Sequence, residues 1–177
     1  MTDMDVDLAA SICCHYDNVV MSGNHGDPIY HPRFHDLVSA IRARQQDMRF
    51  RIVTNGSSRG QQWWAQLAKL LGDHDEVTFS IDGLPHNNDL YRINSKWPSI
   101  EAGIRTLREN NPGLRLVWKW IIFAHNQDDI AAGAAMARSL GFNQFHCVWS
   151  TRYDQRFAEF IPTKNLQQIR ETLDASS

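Results

Sequence analysis

The sequence predicts an α/β domain of parallel strand-helix repeats, arranged as an open sheet or a partial (β/α) barrel. Three observations predict it. Apolar, β-rich runs alternate with stretches of three- and four-residue apolar spacing, the pattern of parallel strands joined by crossover helices. Polar and glycine-rich residues fall just after successive runs, at 23–28, 54–58, 80–83, 125–126 and 150–152. In a parallel sheet those positions share the edge where sites are built, so one cleft is implied. A length of 177 residues with 42% hydrophobic content suits one core, and residues 1–177 are read as a single domain.

Five units follow in order. The first strand is expected at 18–22 (NVVMS), with a helix over 32–46 whose Phe34, Leu37, Val38 and Ile41 share one face. The second strand, 50–54, ends at Asn55-Gly56, and its helix, 61–71, carries Trp64, Leu67, Ala68 and Leu71 as a stripe, with Gly72 as its C-cap. The third strand, 76–81, runs into Asp82-Gly83. A loop over 84–97 then precedes a helix at 98–109 opened by Pro98. The fourth strand, 114–123, puts Trp118 and Trp120 on one face and Lys119 on the other. Its helix, 128–140, ends at Gly141, and the fifth strand is 144–149. An irregular stretch and a last helix opened by Pro162-Thr163 complete the chain.

Composition excludes several classes. A net charge of -2, from 18 basic and 20 acidic residues, offers no broad attraction to nucleic acid or to an anionic membrane. No apolar run reaches the ~18 residues of a membrane span, and the acidic start lacks the n- and h-regions of a signal peptide. The cytoplasm is the expected location. Cys13, Cys14 and Cys147 form neither a disulfide framework nor a CxxC knuckle. His31 and His35 are a helix-compatible pair without the Glu of a zinc-protease motif, so no metal ligands are assigned.

The loop Gly23-Asn24-His25-Gly26-Asp27-Pro28 has glycines that let a ligand approach the backbone, and a proline that fixes the turn; it reads equally as an ordinary β-to-α turn. Ser80 and Asp82, two residues apart, would present acceptors suited to ribose hydroxyls, although Asp-Gly is also a common turn. Thr54 and Asn55 carry the same ambiguity. Six tryptophans supply rings that fill a core or stack on a base.

Taken together, GNHGDP, IVTNGS, VTFSIDGL, Tyr91-Arg92, FAHN and the LGF at 140–142 resemble the radical S-adenosylmethionine (SAM) superfamily over about residues 19–152, with 153–177 as a C-terminal helix and tail. The branch most resembled matures peptides or sulfatases. The resemblance implies that Gly26, Asp27 and Pro28 hold the methionine amino group, with Asp27 where the family has Glu. It implies that Ser80 and Asp82 face the ribose, Thr54 and Asn55 the cofactor rim, and Asn126 the methionine or adenosine side. Catalytic residues and substrate are not assigned.

The family ligates a 4Fe-4S cluster with CxxxCxxC after its first strand, and this chain has no such motif. Its first strand resembles the family's second, so the first strand, cysteine loop and first helix are expected to be absent. The preferred reading is a truncated part of an enzyme that cleaves SAM, inactive alone, with SAM as its cofactor and the cluster dependent on an upstream segment or partner chain. The exposed edge of the first strand would then invite self-association or a partner, unless a short helix near 8–13 covers it. Two other readings stay open: a cluster-free binding or scaffold module using the same cleft, and an unrelated metal-dependent α/β-barrel hydrolase.

Overall fold

In the computed structural model, which describes residues 5–23, 26–150 and 155–174, the five expected strands pair in parallel, in chain order. They are β1 (Asn18–Met21), β2 (Arg49–Thr54), β3 (Glu76–Ser80), β4 (Arg115–Ile122) and β5 (Gln144–Trp149). Each sits beside its neighbour in sequence, with Val19 opposite Phe50, Ile52 opposite Val77, Phe79 opposite Trp118 and Trp120 opposite Cys147. The sheet is open, bounded by β1 and β5.

The helices are α1 (Val6–Cys13), α2 (Phe34–Arg44), α3 (Gln61–Leu70), α4 (Asn88–Tyr91), α5 (Trp97–Asn110), α6 (Ile130–Ser139) and α7 (Leu166–Asp174). Single-turn segments at Pro28–Tyr30 and Gln155–Phe160 complete the elements. One core lies between helices and sheet. Phe50, Ile52, Val77, Phe79, Trp118 and Trp120 enter it from the strands, and Val38, Ile41, Trp64, Leu67, Ile100 and Ile104 from the helices. Gly133 of α6 lets that helix close on β4, because a Cβ there would stand 2.7 Å from the Trp120 ring.

The other sheet face is polar. Strand alternation places Arg51, Glu76, Thr78, Ser80, Arg115, Lys119 and His146 there, and Arg51, Arg115 and His146 are exposed. Parallel sheets ordinarily have both faces covered. Here, among the described residues, the hydrophobic layer is on one side.

Several boundaries differ from expectation. The chain from Asp27 first makes a short 3-10 turn, so α2 begins at Phe34 rather than at Pro32. Gly72 does not cap α3: Leu71 does, in an extended conformation, and the Gly72 N–H donates to Asp75. Gly141, at φ 79°, does take the left-handed turn after α6. The loop over 84–97 contains α4, and α7 begins at Leu166, three residues beyond Thr163.

The N-terminal helix packs elsewhere than on the edge of β1. Val6, Ala9 and Ala10 are buried, α1 lies on α2, and the Arg44 guanidinium donates to the Asp7 carbonyl. It joins the helix layer and leaves Val20 half exposed. The short helix expected near 8–13 is therefore present, as Val6–Cys13, but it packs on α2 rather than covering the edge of β1.

Candidate functional site

A cavity of about 790 Å³ opens at the C-terminal edge of the sheet, a size suited to a small organic ligand. It is lined by residues at or near the ends of all five strands and by the loops after β1, β2, β3 and β5, including Ser22, Thr54, Ser80, Lys119 and Trp149. Of the residues singled out in the sequence, Gly26, Asp27, Thr54, Asn55 and Ser80 meet in its wall. Pro28, Asp82 and Asn126 lie behind it. Asn24, His25, Thr151 and Arg152 fall outside the described residues.

The Gly26 backbone is open to approach, since a Cβ on it would meet nothing within 4 Å. Asp27 turns its carboxylate toward the end of β2. One oxygen accepts from Thr54 Oγ1 at 2.9 Å and the Asn55 N–H at 2.6 Å, and the other accepts from the Ile29 N–H at 3.2 Å. Burial nevertheless pushes this carboxyl above its ordinary range, against the pull of those donors. Asp27 thus ties the loop after β1 to β2, leaving the backbone around Gly26 to face the cavity.

Ser80 and Asp82 are not presented together. Ser80 lines the cavity, whereas Asp82 is wholly buried. Its carboxylate accepts from Arg92 Nε and from the Ile121 N–H, both at 2.6 Å. Burial raises its pKa, and Arg92 offsets part of that shift. Asn126 is equally committed: Nδ2 donates to the carbonyls of Asp82 and Ile121, and Oδ1 accepts from the Phe123 N–H. Together Asp82 and Asn126 lock the loops after β3 and β4 and set the position of Arg92, which does reach the cavity.

His125 packs beside them, its ring stacked on Phe123 with centroids 5.6 Å apart. Both of its ring nitrogens are buried, and burial lowers its pKa against the opposing pull of the Asp82 backbone and of the nearby Asp82 and Asp129 carboxylates. His31 and His35 do not form a centre; His35 stacks on Trp63 at 4.6 Å. Among the described residues no group of three or more His, Cys, Asp or Glu side chains could hold a metal ion. Of the tryptophans, Trp64, Trp118 and Trp120 are core, and Trp149 stands at the cavity.

Arg92 and Lys119 are the charged lining residues, besides Asp27, to which the sequence assigns no role. Arg92 was noted only within the Tyr91-Arg92 motif. Lys119 was read only by its face, yet it is the one charged residue inside the apolar run 116–123, a signal that could have marked it.

No family model and no curated protein sequence matches the chain. Solved structures do. SuiB from Streptococcus suis bound to S-adenosylmethionine aligns with a TM-score of 0.72 at 12% identity, over 99% of this chain and 41% of that one. The radical S-adenosylmethionine methyltransferase TsrM from Kitasatospora setae, with cobalamin and a 4Fe-4S cluster bound, aligns with a TM-score of 0.63 at 12% identity, over 88% and 31%. Native anSMEcpe with bound AdoMet gives 0.62 at 12%, over 81% and 41%.

The chain has a radical SAM-like core fold.

It spans only about two fifths of the SuiB chains it aligns with. In this radical SAM-like core the cavity residues fit a nucleoside with an amino-acid tail: an open glycine backbone, the Ser80 hydroxyl, polar Thr54 and Asn55, and the Tyr91 ring. The thiols do not fit a cluster. Cys13 and Cys14 end α1, before β1, and neither lines the cavity. Cys147 is on the helix-facing side of β5 opposite Trp120, where burial pushes its thiol up to about 12. No helix among the described residues is long and apolar enough to cross a membrane.

Proposed function

We propose that this chain is the SAM-binding part of a radical enzyme core that starts chemistry on a peptide, with the cluster-binding cysteines supplied by a segment or partner outside these residues. The observation that carries the reading is the coincidence of the cavity wall, Gly26, Thr54, Asn55 and Ser80, with the strand ends of a fold whose aligned structures include SAM complexes. Gly26 offers backbone to the amino-acid end, Ser80 a hydroxyl to the ribose, and Thr54 and Asn55 the rim. Asp82 and Asn126 act indirectly, by holding the loops and Arg92 in place. A bound cluster would supply the electron for reductive cleavage. Because the thiols here do not converge, this chain alone does not cleave SAM. It works in the cytoplasm and associates through the edge of β1.

Calorimetry with SAM, S-adenosylhomocysteine and adenosine tests the reading. Saturable heat is expected for SAM, weakened by Ser80→Ala, with no 5′-deoxyadenosine formed by the chemically reduced chain. Absence of heat at about millimolar ligand, a level that corresponds to only ~4 kcal/mol of binding, would overturn it. Adenosine binding as tightly as SAM would favour a cluster-free nucleoside-binding module, a reading supported by the scattered thiols.

A further inference from the structure

The polar face of the sheet carries a charge distribution that the net charge of -2 conceals. Arg49, Arg51, Arg115 and Lys119 share this face, with Glu76 as the one strand carboxylate among them. Glu76 lies between two guanidiniums, 3.1 Å from Arg51 and 3.2 Å from Arg115, so one acid is matched to two bases. The side chains of Arg51 and Arg115 are 59% and 50% exposed; Arg115 Nη2 also donates to Gln144 Oε1, and the remaining guanidinium donors can meet a further acceptor. Lys119, beside Ser80 and His146 in the strand register, reaches the cavity and makes no ion pair among the described residues.

The cations are in rows. Arg51, Glu76 and Arg115 form one, Val53, Thr78 and Val117 the next, and Ser80, Lys119 and His146 a third. Successive rows are two residues apart, about 7 Å, so the first and third are separated by about 13 Å along the strands. That spacing matches side chains four residues apart on an extended peptide. In the middle row Thr78 and Val117 are already buried, so a small apolar side chain of the peptide would rest over them beside Val53 rather than insert between them. Apart from His146 in the third row, no aromatic side chain stands in these rows, so the strand floor offers few of the stacking platforms that single-stranded nucleic acid uses.

We infer that this face is the docking floor for an extended acidic peptide, with acidic side chains four residues apart, the leading one drawn to Lys119 at the mouth of the cavity. The inference rests on the cavity being the reaction site, and it names the class of substrate delivered there.

Fluorescence anisotropy of the full chain with a labelled Gly-Glu-Gly-Val-Gly-Glu-Gly amide tests it. Saturable binding is expected, weakened at least tenfold by Lys119→Glu and by Arg51→Glu, largely retained by Lys119→Arg, and weak for the same peptide with lysines in place of glutamates. Circular dichroism and SAM calorimetry on the same variants show that they fold, and they report on cofactor binding separately from peptide binding. No saturable acidic-peptide binding, equal binding of the lysine peptide, or indifference to both charge reversals overturns the inference. So does stronger binding of oligothymidylate or pyrophosphate, which would make the floor a phosphate site. Self-association abolished by Lys119→Glu, without peptide binding, would assign it to a second copy of the chain and overturn the inference equally.

Discussion

Asp82 is the residue on which the cavity's architecture turns. A fully buried carboxylate is tolerable only while Arg92 and the Ile121 N–H face it. Arg92→Met is therefore expected to cost about 3–5 kcal/mol by urea denaturation near neutral pH, the range for stranding a buried charge. The loss should shrink on acidification as Asp82 takes up a proton. A loss below about 1 kcal/mol would show that Asp82 has another source of compensation. Asp27 gives a second test. Its raised pKa means that the folded state holds its proton to higher pH than the unfolded chain does, so stability falls as pH rises from the ordinary carboxylate range through the raised value. The stability of the natural chain relative to Asp27→Asn should fall as pH rises above the ordinary carboxylate range, about pH 4. A constant difference would refute the shift. Asp82 and Asn126 also show where sequence reading stops. Their positions at strand ends were legible, but whether such a residue points outward or knits two loops depends on partners 39 and 44 residues away.

At the scale of elements, strand positions were legible because five apolar runs fall between turn residues, and β5 matches its expected bounds. The helix starts were less so. The 3-10 turn at Pro28–Tyr30 is held by Asp27 and by Arg59 Nε donating to the Ile29 carbonyl at 2.7 Å, a partner in the next unit that local sequence does not reveal. The role of Asp75, buried and accepting from the N–H groups of Phe50 and Gly72 and from Arg42, was likewise hidden by its long-range partners. The alanine-rich α6 approaches the sheet most closely at Gly133. Gly133→Ala should improve intrinsic helix propensity yet destabilise the protein by about 1–3 kcal/mol, because overpacking against Trp120 and Phe145 outweighs it. A stabilised variant would show that α6 shifts freely on the sheet.

For the whole molecule, the edge of β1 is the exposed seam. Val20 is 52% exposed there, and Leu8, Ile12 and Tyr16 leave further apolar surface nearby in sequence. Natural edge strands resist pairing through charge. Val20→Lys is accordingly expected to leave the helical circular dichroism intact while shifting sedimentation toward a slower species at high protein concentration. A natural chain that sediments as a monomer throughout would remove this edge as a contact. The division of the sheet into one apolar and one polar face was only partly legible: the alternation in β4 gave it, but the meeting of Arg51, Glu76 and Arg115 required the register across three strands.

The strand order bears on how the chain reaches its native state. Because every strand pairs with its neighbours in sequence, each strand-helix unit can dock on the unit already made, with no later strand inserted between earlier ones. Such connectivity limits each loop closure to a single strand-helix-strand span, the least that a parallel pairing requires. It also suits a chain emerging from the ribosome N-terminus first: β2 can settle on β1 before β5 has been synthesised, and the growing edge is always the one about to receive its partner.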